Sequence, residues 1–360
     1  MNDPLLQPLT FARGPAMSNR LMLAPLTNMQ SHDDGTLSED EFRWLVMRAQ
    51  GGFGLTMTCA SYVQPVGKGF PGQLGIWSDR HLPGLERLAR AIRAEGGLAA
   101  VQLHHAGLRA DRARIDDAPV APWADAKTGA RALGTAEVEQ VVEDFILAAQ
   151  RAENAGFNGV ELHGAHGYLL GQFLDADHNR REDRYGGSFE NRCRALFEVI
   201  DGVRARTGAD FQLGVRLSPE RFGVTLAEAR ALAQRLMADG NIDYLDMSLW
   251  DAFKEPVDPA FHGKPLISHF TELERGATRL GVAGKIMGGD SARRCLEHGA
   301  DYVLIGRGAI LHHDFPRQLR ADPHFESIPR PVTRAYLQQQ GLGPAFIRYM
   351  ETGWKDFVAS

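Results

Sequence analysis

Two histidines and a tyrosine lie close together in the middle of the chain, in the segment HGAHGY that begins at His163 and includes His166 and Tyr168. Two imidazoles three residues apart, placed just after a strand, can direct two N–H donors at one small acceptor while the phenol delivers a proton. The pair can also be part of a metal site, although helical zinc pairs usually have HxxxH spacing and need a third ligand, or it can be structural. The spacing alone leaves catalysis, metal binding and structure open.

Paired glycines near the end of the chain indicate a second kind of chemistry. Gly288 and Gly289 precede one predicted helix, and Gly306 and Arg307 follow the last apolar run. Glycine lets the backbone approach a ligand closely, and a helix start offers free N–H groups to an anion. Arg307 can add charge-assisted hydrogen bonds. A phosphate site is favoured, and tight turns that simply need glycine are the alternative.

Two polar residues interrupt strand-like apolar runs. Gln102 lies in AAVQLHH and Arg216 lies in LGVRLS. Burying an arginine costs free energy unless the side chain is paired or faces a ligand. Arg216 is therefore expected either to contact a ligand or to form an internal salt bridge.

The elements that must position these residues alternate regularly between short apolar runs and longer amphipathic segments. Most of the runs are almost continuously apolar, as expected for strands buried on both faces of a parallel sheet. The eight predicted strands are 20–25, 54–60, 98–103, 158–163, 211–217, 243–249, 284–288 and 301–305.

Helices are predicted between these strands. Ser38 and Thr225 each begin an S/T-x-x-E capping box, which predicts a helix start. Apolar residues follow helical spacing over 138–149 and 193–200. Further helices are predicted near 81–95, 268–280, 291–298 and 315–321.

Eight strands alternating with helices predict an α/β fold, the closed (β/α)8 TIM barrel. A doubly wound open sheet is the alternative, but the lack of an obvious domain break favours closure. Excursion loops follow the third strand (104–135) and the sixth strand (250–267). Because active sites of such barrels lie at the carboxyl ends of the strands, both loops are predicted to be functional rather than decorative.

The chain is predicted to form a single domain over residues 1–360. Its C-terminal tail, 331–360, carries aromatic side chains that need a surface to pack on, either the barrel or a neighbouring subunit. A homo-oligomer is therefore one expectation. The aromatic residues concerned are Tyr336, Phe346, Tyr349, Trp354 and Phe357.

Composition narrows the class of protein. Hydrophobic residues make up 44% and charged residues 24%, and the formal net charge is −5, which suggests neither a nucleic-acid nor a membrane partner. The three cysteines lack CxxC spacing, so neither a disulfide framework nor an iron–sulfur cluster is expected. The N-terminal segment has no apolar signal-peptide region and no run is long enough to span a bilayer. A cytoplasmic location is expected.

Several segments together resemble the old yellow enzyme family, whose members are NAD(P)H:flavin oxidoreductases. The segments appear in the family's order over about 290 residues. The long block around His163 is highly specific, whereas the glycine pairs alone are weak. The matching segments are NRLMLAPLT (19–27), VQLHHAG (101–107), GVELHGAHGYLLGQFLDADHNRREDRYGGSFENR (159–192), VRLSPE (215–220), MGGD and IGRG.

The resemblance implies that FMN lies across the barrel mouth. By position, Pro25, Leu26 and Thr27 would line the flavin after the first strand, and Ala60 would do so after the second. Gln102 would meet the pyrimidine edge, and Arg216 would lie near N1 and the C2 carbonyl, where a fixed cation stabilises the reduced flavin. The residues that would hold the phosphate are Gly288, Gly289, Gly306 and Arg307.

The resemblance also implies roles for the central segment. His163 and His166 match the pair that binds the substrate's carbonyl oxygen, a pair that is His/Asn or His/His in the family. Tyr168 matches the proton donor to the α-carbon. NADPH or NADH would reduce FMN and leave, and an enone-type substrate, or a nitro compound, would then take its place. No metal is implied.

Two other classes remain as alternatives. A metal- or phosphate-dependent barrel lyase or isomerase would use His163 and His166 as ligands or bases and would be colourless. A non-enzymatic redox sensor would bind FMN but turn over slowly with every acceptor. The sequence leaves open the physiological substrate, the choice of nicotinamide, the stereochemistry and the subunit number.

Overall fold

A closed barrel of parallel strands organises the chain in a computed structural model that describes residues 3–359. The predicted (β/α)8 TIM barrel is confirmed. The strands are β1 (Leu21–Leu23), β2 (Leu55–Tyr62), β3 (Leu98–His104), β4 (Val120–Ala121), β5 (Arg131–Ala132), β6 (Gly159–Gly164), β7 (Gln212–Leu217), β8 (Tyr244–Ser248), β9 (Arg279–Ala283) and β10 (Tyr302–Ile305). The barrel order is β1-β10-β9-β8-β7-β6-β3-β2, and β4 pairs with β5 outside it.

Helices follow the strands around the outside of the barrel. They are α1 (Glu39–Gln50), α2 (Leu82–Ala94), α3 (Thr135–Asn154), α4 (Leu169–Leu174), α5 (Phe189–Arg206), α6 (Leu226–Ala238), α7 (Ser268–Thr271), α8 (Gly289–Glu297), α9 (Arg307–Leu311), α10 (Phe315–Ala321), α11 (Arg334–Gln339) and α12 (Pro344–Gly353). The predicted helix starts at Ser38 and Thr225 are confirmed, because each hydroxyl accepts the backbone N–H three residues later. Within residues 3–359, none of these helices has the length and apolar character needed to cross a bilayer.

Two apolar layers result from the alternation of side chains along the strands. In β1, Met22 points into the barrel and packs in a cluster with Leu304 of β10, whereas Leu21 and Leu23 belong to the layer between strands and helices. A period of two sends alternate residues to opposite faces of a sheet. The barrel is therefore filled inside and covered outside, and polar residues on its inner face must be explained individually.

The predicted strand 284–288 is wrong, and the helix predicted near 268–280 is present only over its first four residues. The strand is β9, Arg279–Ala283, and α7 ends at Thr271. This strand contains Gly281, which weakens the apolar pattern. A Cβ atom on Gly281 would lie 2.1 Å from the ring of Tyr302 in β10, so the phenol occupies the space of the missing side chain.

The C-terminal tail packs on its own barrel. The ring of Phe346 meets that of Trp44 of α1 edge to face with centroids 4.9 Å apart, and the Tyr336 hydroxyl donates to the carbonyl of Leu311 at 2.7 Å. Packing on a neighbouring subunit stays a prediction. The predicted domain, 1–360, includes three residues that lie outside the described part: Met1, Asn2 and Ser360.

Candidate active site

The carboxyl ends of the barrel strands surround a cleft of about 560 Å³. A smaller cavity of about 210 Å³ shares part of its wall and continues towards the ends of β9 and β10. The cleft brings together most of the residues singled out in the sequence. Those in the cleft are Pro25, Leu26, Thr27, Ala60, Gln102, His163, His166, Tyr168 and Arg216, and the smaller cavity adds Gly306 and Arg307.

Strand register explains why the polar residues meet. His163 of β6 is the Cα partner of Arg216 in β7, which in turn pairs with Asp246 in β8. One layer further down, Gln102 of β3 pairs with Glu161 of β6. Glu161 and His163 are two residues apart and so share the inner face of the barrel. The sequence pattern thus stacks two layers of polar side chains beneath the mouth.

The proton positions on His163 and His166 follow from their hydrogen-bond partners. Nδ1 of His163 accepts the N–H of Ala165 at 3.3 Å, which leaves the proton of this ring on Nε2. Ser248 Oγ accepts a hydrogen bond from Arg216 at 3.3 Å and lies 2.8 Å from His166 Nε2. With the Ser248 hydroxyl as the donor to Nε2, His166 carries its proton on Nδ1. In this tautomer the two N–H groups face each other, with His163 Nε2 and His166 Nδ1 3.3 Å apart. Two adjacent donors need a shared acceptor, and an oxygen of a bound ligand supplies one.

Both imidazoles are neutral at pH 7. Burial, reinforced by the charges of neighbouring groups, lowers the pKa of His163 well below its ordinary value of 6.5. Burial and then the positive charges of Arg216 and Arg109 lower the pKa of His166 to about 3. A ligand oxygen held here therefore meets neutral N–H donors and not imidazolium groups.

Tyr168 precedes α4 and lies beside the histidine pair. Its ring is 5.0 Å from that of His163 and 4.3 Å from that of His104, edge to face in both cases. Burial raises the pKa of the Tyr168 phenol above its ordinary value of 10, and the charge of Arg109 opposes that shift. The hydroxyl consequently stays protonated at neutral pH and can donate.

Arg216 forms the internal salt bridge that was one expectation for it, and it also lines the cleft. Its Nε atom lies 2.8 Å from Asp246 Oδ2 in a buried ion pair, and the same side chain lines both cavities. Glu161 lies beside this pair and accepts a hydrogen bond from Gln102 Nε2 at 2.8 Å. Burial raises the pKa of both carboxyls, and the charge of Asp246 raises that of Glu161 further. Two buried acids and one arginine thus lie directly beneath the cleft.

The two connected cavities fit FMN by the chemistry of their walls. Pro25 and Leu26 give an apolar surface shared by both cavities, as a flat aromatic ring system requires. Gln102 keeps one amide N–H and its carbonyl for a ligand, and Arg216 adds a cation on the same edge. Thr27 adds a hydroxyl. One apolar face with a donor- and acceptor-rich edge matches an isoalloxazine ring.

The expectation for Gly288 and Gly289 needs correction, because neither glycine lines the cavities. The N–H of Gly288 donates to Ser291 Oγ at 3.2 Å, and that of Gly289 donates to the carbonyl of Phe325 at 2.8 Å. Both amides are therefore committed to the fold. A Cβ atom on Gly289 would lie 2.1 Å from the backbone of the segment after α10, which explains the glycine by packing.

The corrected position of β9 brings two other residues to the smaller cavity instead of Gly288 and Gly289. Gly284 and Lys285 come immediately after the strand and line the smaller cavity opposite Gly306 and Arg307. Lys285 has φ +54°, in the left-handed region, and its Nζ atom lies 2.9 Å from Asp251 Oδ2. The loops after β9 and β10 thus meet at one end of the cavity, the place where such barrels hold phosphate.

Sequence reasoning missed several residues of the cleft wall. The loops 104–135 and 250–267, which were predicted to be functional, supply Arg109 and Trp250 to the cleft. The sequence did not indicate that the tail aromatics Tyr349 and Trp354 reach it. Arg109 and Arg221 lie in irregular loops whose course no periodicity indicates. The residues added to the cleft by the structure are Arg109, Arg221, Phe222, Trp250, Ile310, Tyr349 and Trp354.

Metal binding at the histidine pair was one of the open alternatives. Among residues 3–359, no group of three or more His, Cys, Asp or Glu side chains is arranged to hold a metal ion. The partners of the pair are instead a backbone amide and a serine hydroxyl.

A parallel barrel with an apolar surface and a polar edge at its mouth is the arrangement found in flavin-binding barrel oxidoreductases. Residues 4–324 match the sequence profile of the NADH:flavin oxidoreductase / NADH oxidase family. The chain belongs to this family, which is the family of the old yellow enzymes. It is accordingly an FMN-dependent enzyme that uses a nicotinamide as co-substrate.

Similar proteins cover the chain almost completely. It is 34% identical over 365 residues to the probable NADH-dependent flavin oxidoreductase YqiG of Bacillus subtilis (strain 168), covering 95% of this chain and 98% of that protein. The structure of morphinone reductase in complex with tetrahydroNAD superposes with a TM-score of 0.77 at 30% identity, covering 93% of this chain and 94% of that one. The chain is also 33% identical to the NADH:fumarate oxidoreductase of Klebsiella pneumoniae (strain 342), covering 99% of this chain but only 41% of that longer protein.

Proposed function

We propose that the protein reduces the C=C bond of α,β-unsaturated carbonyl or nitro compounds. The observation that carries this proposal is the pair of neutral imidazoles lining the cleft, with His163 Nε2 and His166 Nδ1 3.3 Å apart. With Ser248 as the donor to His166 Nε2, the pair offers two N–H groups to one acceptor. Bound FMN supplies hydride from N5 after it has been reduced by NADH or NADPH. The chain's own residues then decide which acceptor is bound and where its charge and proton go.

The histidine pair binds and polarises the acceptor. An enone oxygen between His163 and His166 accepts both N–H groups and gains negative charge when hydride adds to the β-carbon. Fixed donors aimed at a developing charge are worth about 3 kcal/mol each. The Ala165 amide donates to His163 Nδ1, and Ser248 Oγ lies 2.8 Å from His166 Nε2, so both rings are already oriented when the charge forms.

Tyr168 completes the reaction. Its protonated phenol stands beside the same pair and delivers a proton to the α-carbon, so the C=C bond gains one hydride and one proton. Arg216, paired with Asp246, would supply a fixed cation at the pyrimidine edge of the bound flavin. The phosphate of FMN is assigned to the loops after β9 and β10, at Gly284, Gly306 and Arg307.

Anaerobic stopped-flow of the two half-reactions tests the proposal. The purified protein should be yellow, NADH or NADPH should bleach it, and cyclohex-2-enone should restore the colour. A redox sensor would bind FMN but respond slowly to every acceptor. A colourless protein inhibited by chelators would indicate a metal-dependent lyase and would contradict the proposal.

The corrected phosphate site makes a separate prediction. An Arg307→Ala variant should raise the Kd for FMN about tenfold or more, because a charge-assisted hydrogen bond contributes about 1.5–3 kcal/mol. Fluorescence quenching of FMN by the apoprotein measures this Kd. Arg317→Ala, which removes an exposed arginine of α10 outside both cavities, serves as the control and should leave it unchanged. Equal Kd values for the two variants would place the phosphate elsewhere.

A further inference from the structure

The cleft wall carries positive charge without compensating acids. Three arginines line it, Arg109, Arg216 and Arg221, whereas no Asp or Glu of the described chain does. Arg216 is paired with Asp246 beneath the cleft. Within residues 3–359, Arg109 and Arg221 have no carboxylate oxygen within 4.0 Å. Two guanidinium groups at the mouth thus have no ionic partner in this part of the fold.

Aromatic rings and one backbone hydrogen bond hold these two arginines in the cleft that also contains the histidine pair. Arg109 donates to the carbonyl of His166 at 2.6 Å, and its guanidinium lies 4.9 Å from the ring centre of Tyr168. Arg221 lies 4.9 Å from the ring centre of Trp250, whose ring is 6.3 Å from that of His166. Stacking on an aromatic face orients a guanidinium while leaving its N–H groups available at the edges. Both cations are therefore presented to whatever the histidine pair binds.

We propose that Arg109 and Arg221 form an anion subsite, which binds a carboxylate or phosphate carried by a ligand whose reacting end lies at His163 and His166. This inference rests on the proposed function and narrows its substrate class to unsaturated carbonyl compounds with an anionic substituent. Guanidinium groups bind carboxylate and phosphate through two parallel hydrogen bonds, which suits them to this task. The phosphates of the nicotinamide dinucleotide carry the same chemistry, so the experiment has an arm for each source.

A matched pair of probes isolates the charge of the substrate. (E)-4-Oxopent-2-enoate and its methyl ester share the same enone and differ only in the carboxylate. The wild-type holoenzyme should show a KM for the acid at least tenfold below that for the ester. Arg109→Gln and Arg221→Gln should each raise the ratio of the KM of the acid to the KM of the ester about tenfold, since each removes a charge-assisted contact that only the acid makes. The ratio cancels any general effect of the substitution on the histidine pair. Arg112→Gln, an exposed arginine outside the cleft, is the control and should leave the ratio unchanged.

The second arm measures the dinucleotide. If the anion is a phosphate of the nicotinamide, the same two variants should raise the Kd for NADPH in the flavin-reduction half-reaction about tenfold, while acid and ester stay alike. This result also supports the subsite and assigns it to the co-substrate. Unchanged constants for acid, ester and NADPH in both variants would overturn the proposal.

A binding measurement separates this inference from the proposed reaction. 4-Oxopentanoate, the saturated analogue, cannot be reduced at C=C, and its binding can be followed by the change in flavin absorbance. Weaker binding of 4-oxopentanoate in Arg109→Gln and Arg221→Gln than in Arg112→Gln supports the subsite even if no enone is turned over. Equal binding in all three variants, together with unchanged binding of NADPH, contradicts it.

Discussion

A Tyr168→Phe variant should be reduced by NADH or NADPH as fast as the wild type, yet transfer its reducing equivalents to cyclohex-2-enone about 10²–10⁴-fold more slowly. A positioned general acid contributes a rate factor of this size. The loss should be confined to the second half-reaction, because in the proposed reaction the phenol protonates the acceptor's α-carbon and takes no part in reduction of the flavin. Stopped-flow at the flavin absorbance resolves the two rates separately.

The control for this variant is Tyr349→Phe. Tyr349 also lines the cleft, but it comes from α12 in the tail and not from the segment that carries the histidines. Removing its hydroxyl should leave both half-reactions within a factor of a few. If Tyr168→Phe behaves like Tyr349→Phe, the proton reaches the α-carbon by another route.

The second large effect concerns the oxygen-binding pair. His166→Ala should lower the rate of the enone half-reaction about 10²–10³-fold, because one donor to the developing oxyanion contributes about 3 kcal/mol. His166→Asn keeps an N–H donor of similar reach, so most of the rate should return. The comparison is made at saturating enone, with flavin reduction measured in the same preparation.

Ser248→Ala tests the tautomer on which this reasoning depends. Without the hydroxyl at 2.8 Å, Nε2 of His166 no longer has its donor, and the ring can carry its proton on Nε2 instead of Nδ1. We expect the enone half-reaction of Ser248→Ala to be slowed less than that of His166→Ala.

For the His166 variants themselves, equal rates for His166→Ala and His166→Asn would show that the hydrogen bond to the substrate is not the source of the effect.

The barrel was predictable because most of its elements obey a local rule. Buried parallel strands give continuous apolar runs, and Ser38 and Thr225 mark helix starts with side chains that bond the first free amides. The sequence of β9 does not follow this rule, because a glycine interrupts its apolar run. Its Gly281 is dictated by the ring of Tyr302 in a different strand, and a contact of that kind leaves no signal in the neighbouring sequence.

The residues of the site likewise divide into those with a local sequence signal and those placed by contacts between distant parts of the chain. His163, Arg216 and Gln102 stood out because polar residues in apolar strands are rare and must face something. Gly284 was missed because its position depends on where β9 ends. Arg221 and Trp354 reach the cleft from an irregular loop and from the tail, and which surface such segments cover is decided by tertiary packing.

The buried charges of Arg216, Asp246 and Glu161 bring thermal stability and catalytic function into conflict when this enzyme is engineered. Buried charges are often less favourable to folding than apolar residues of equal volume. A screen for thermal tolerance alone will therefore tend to reward variants that replace this trio with hydrocarbon side chains. Such variants would gain thermal stability but lose the buried charges beneath the flavin site. A screen should therefore select for heat resistance and electron transfer together.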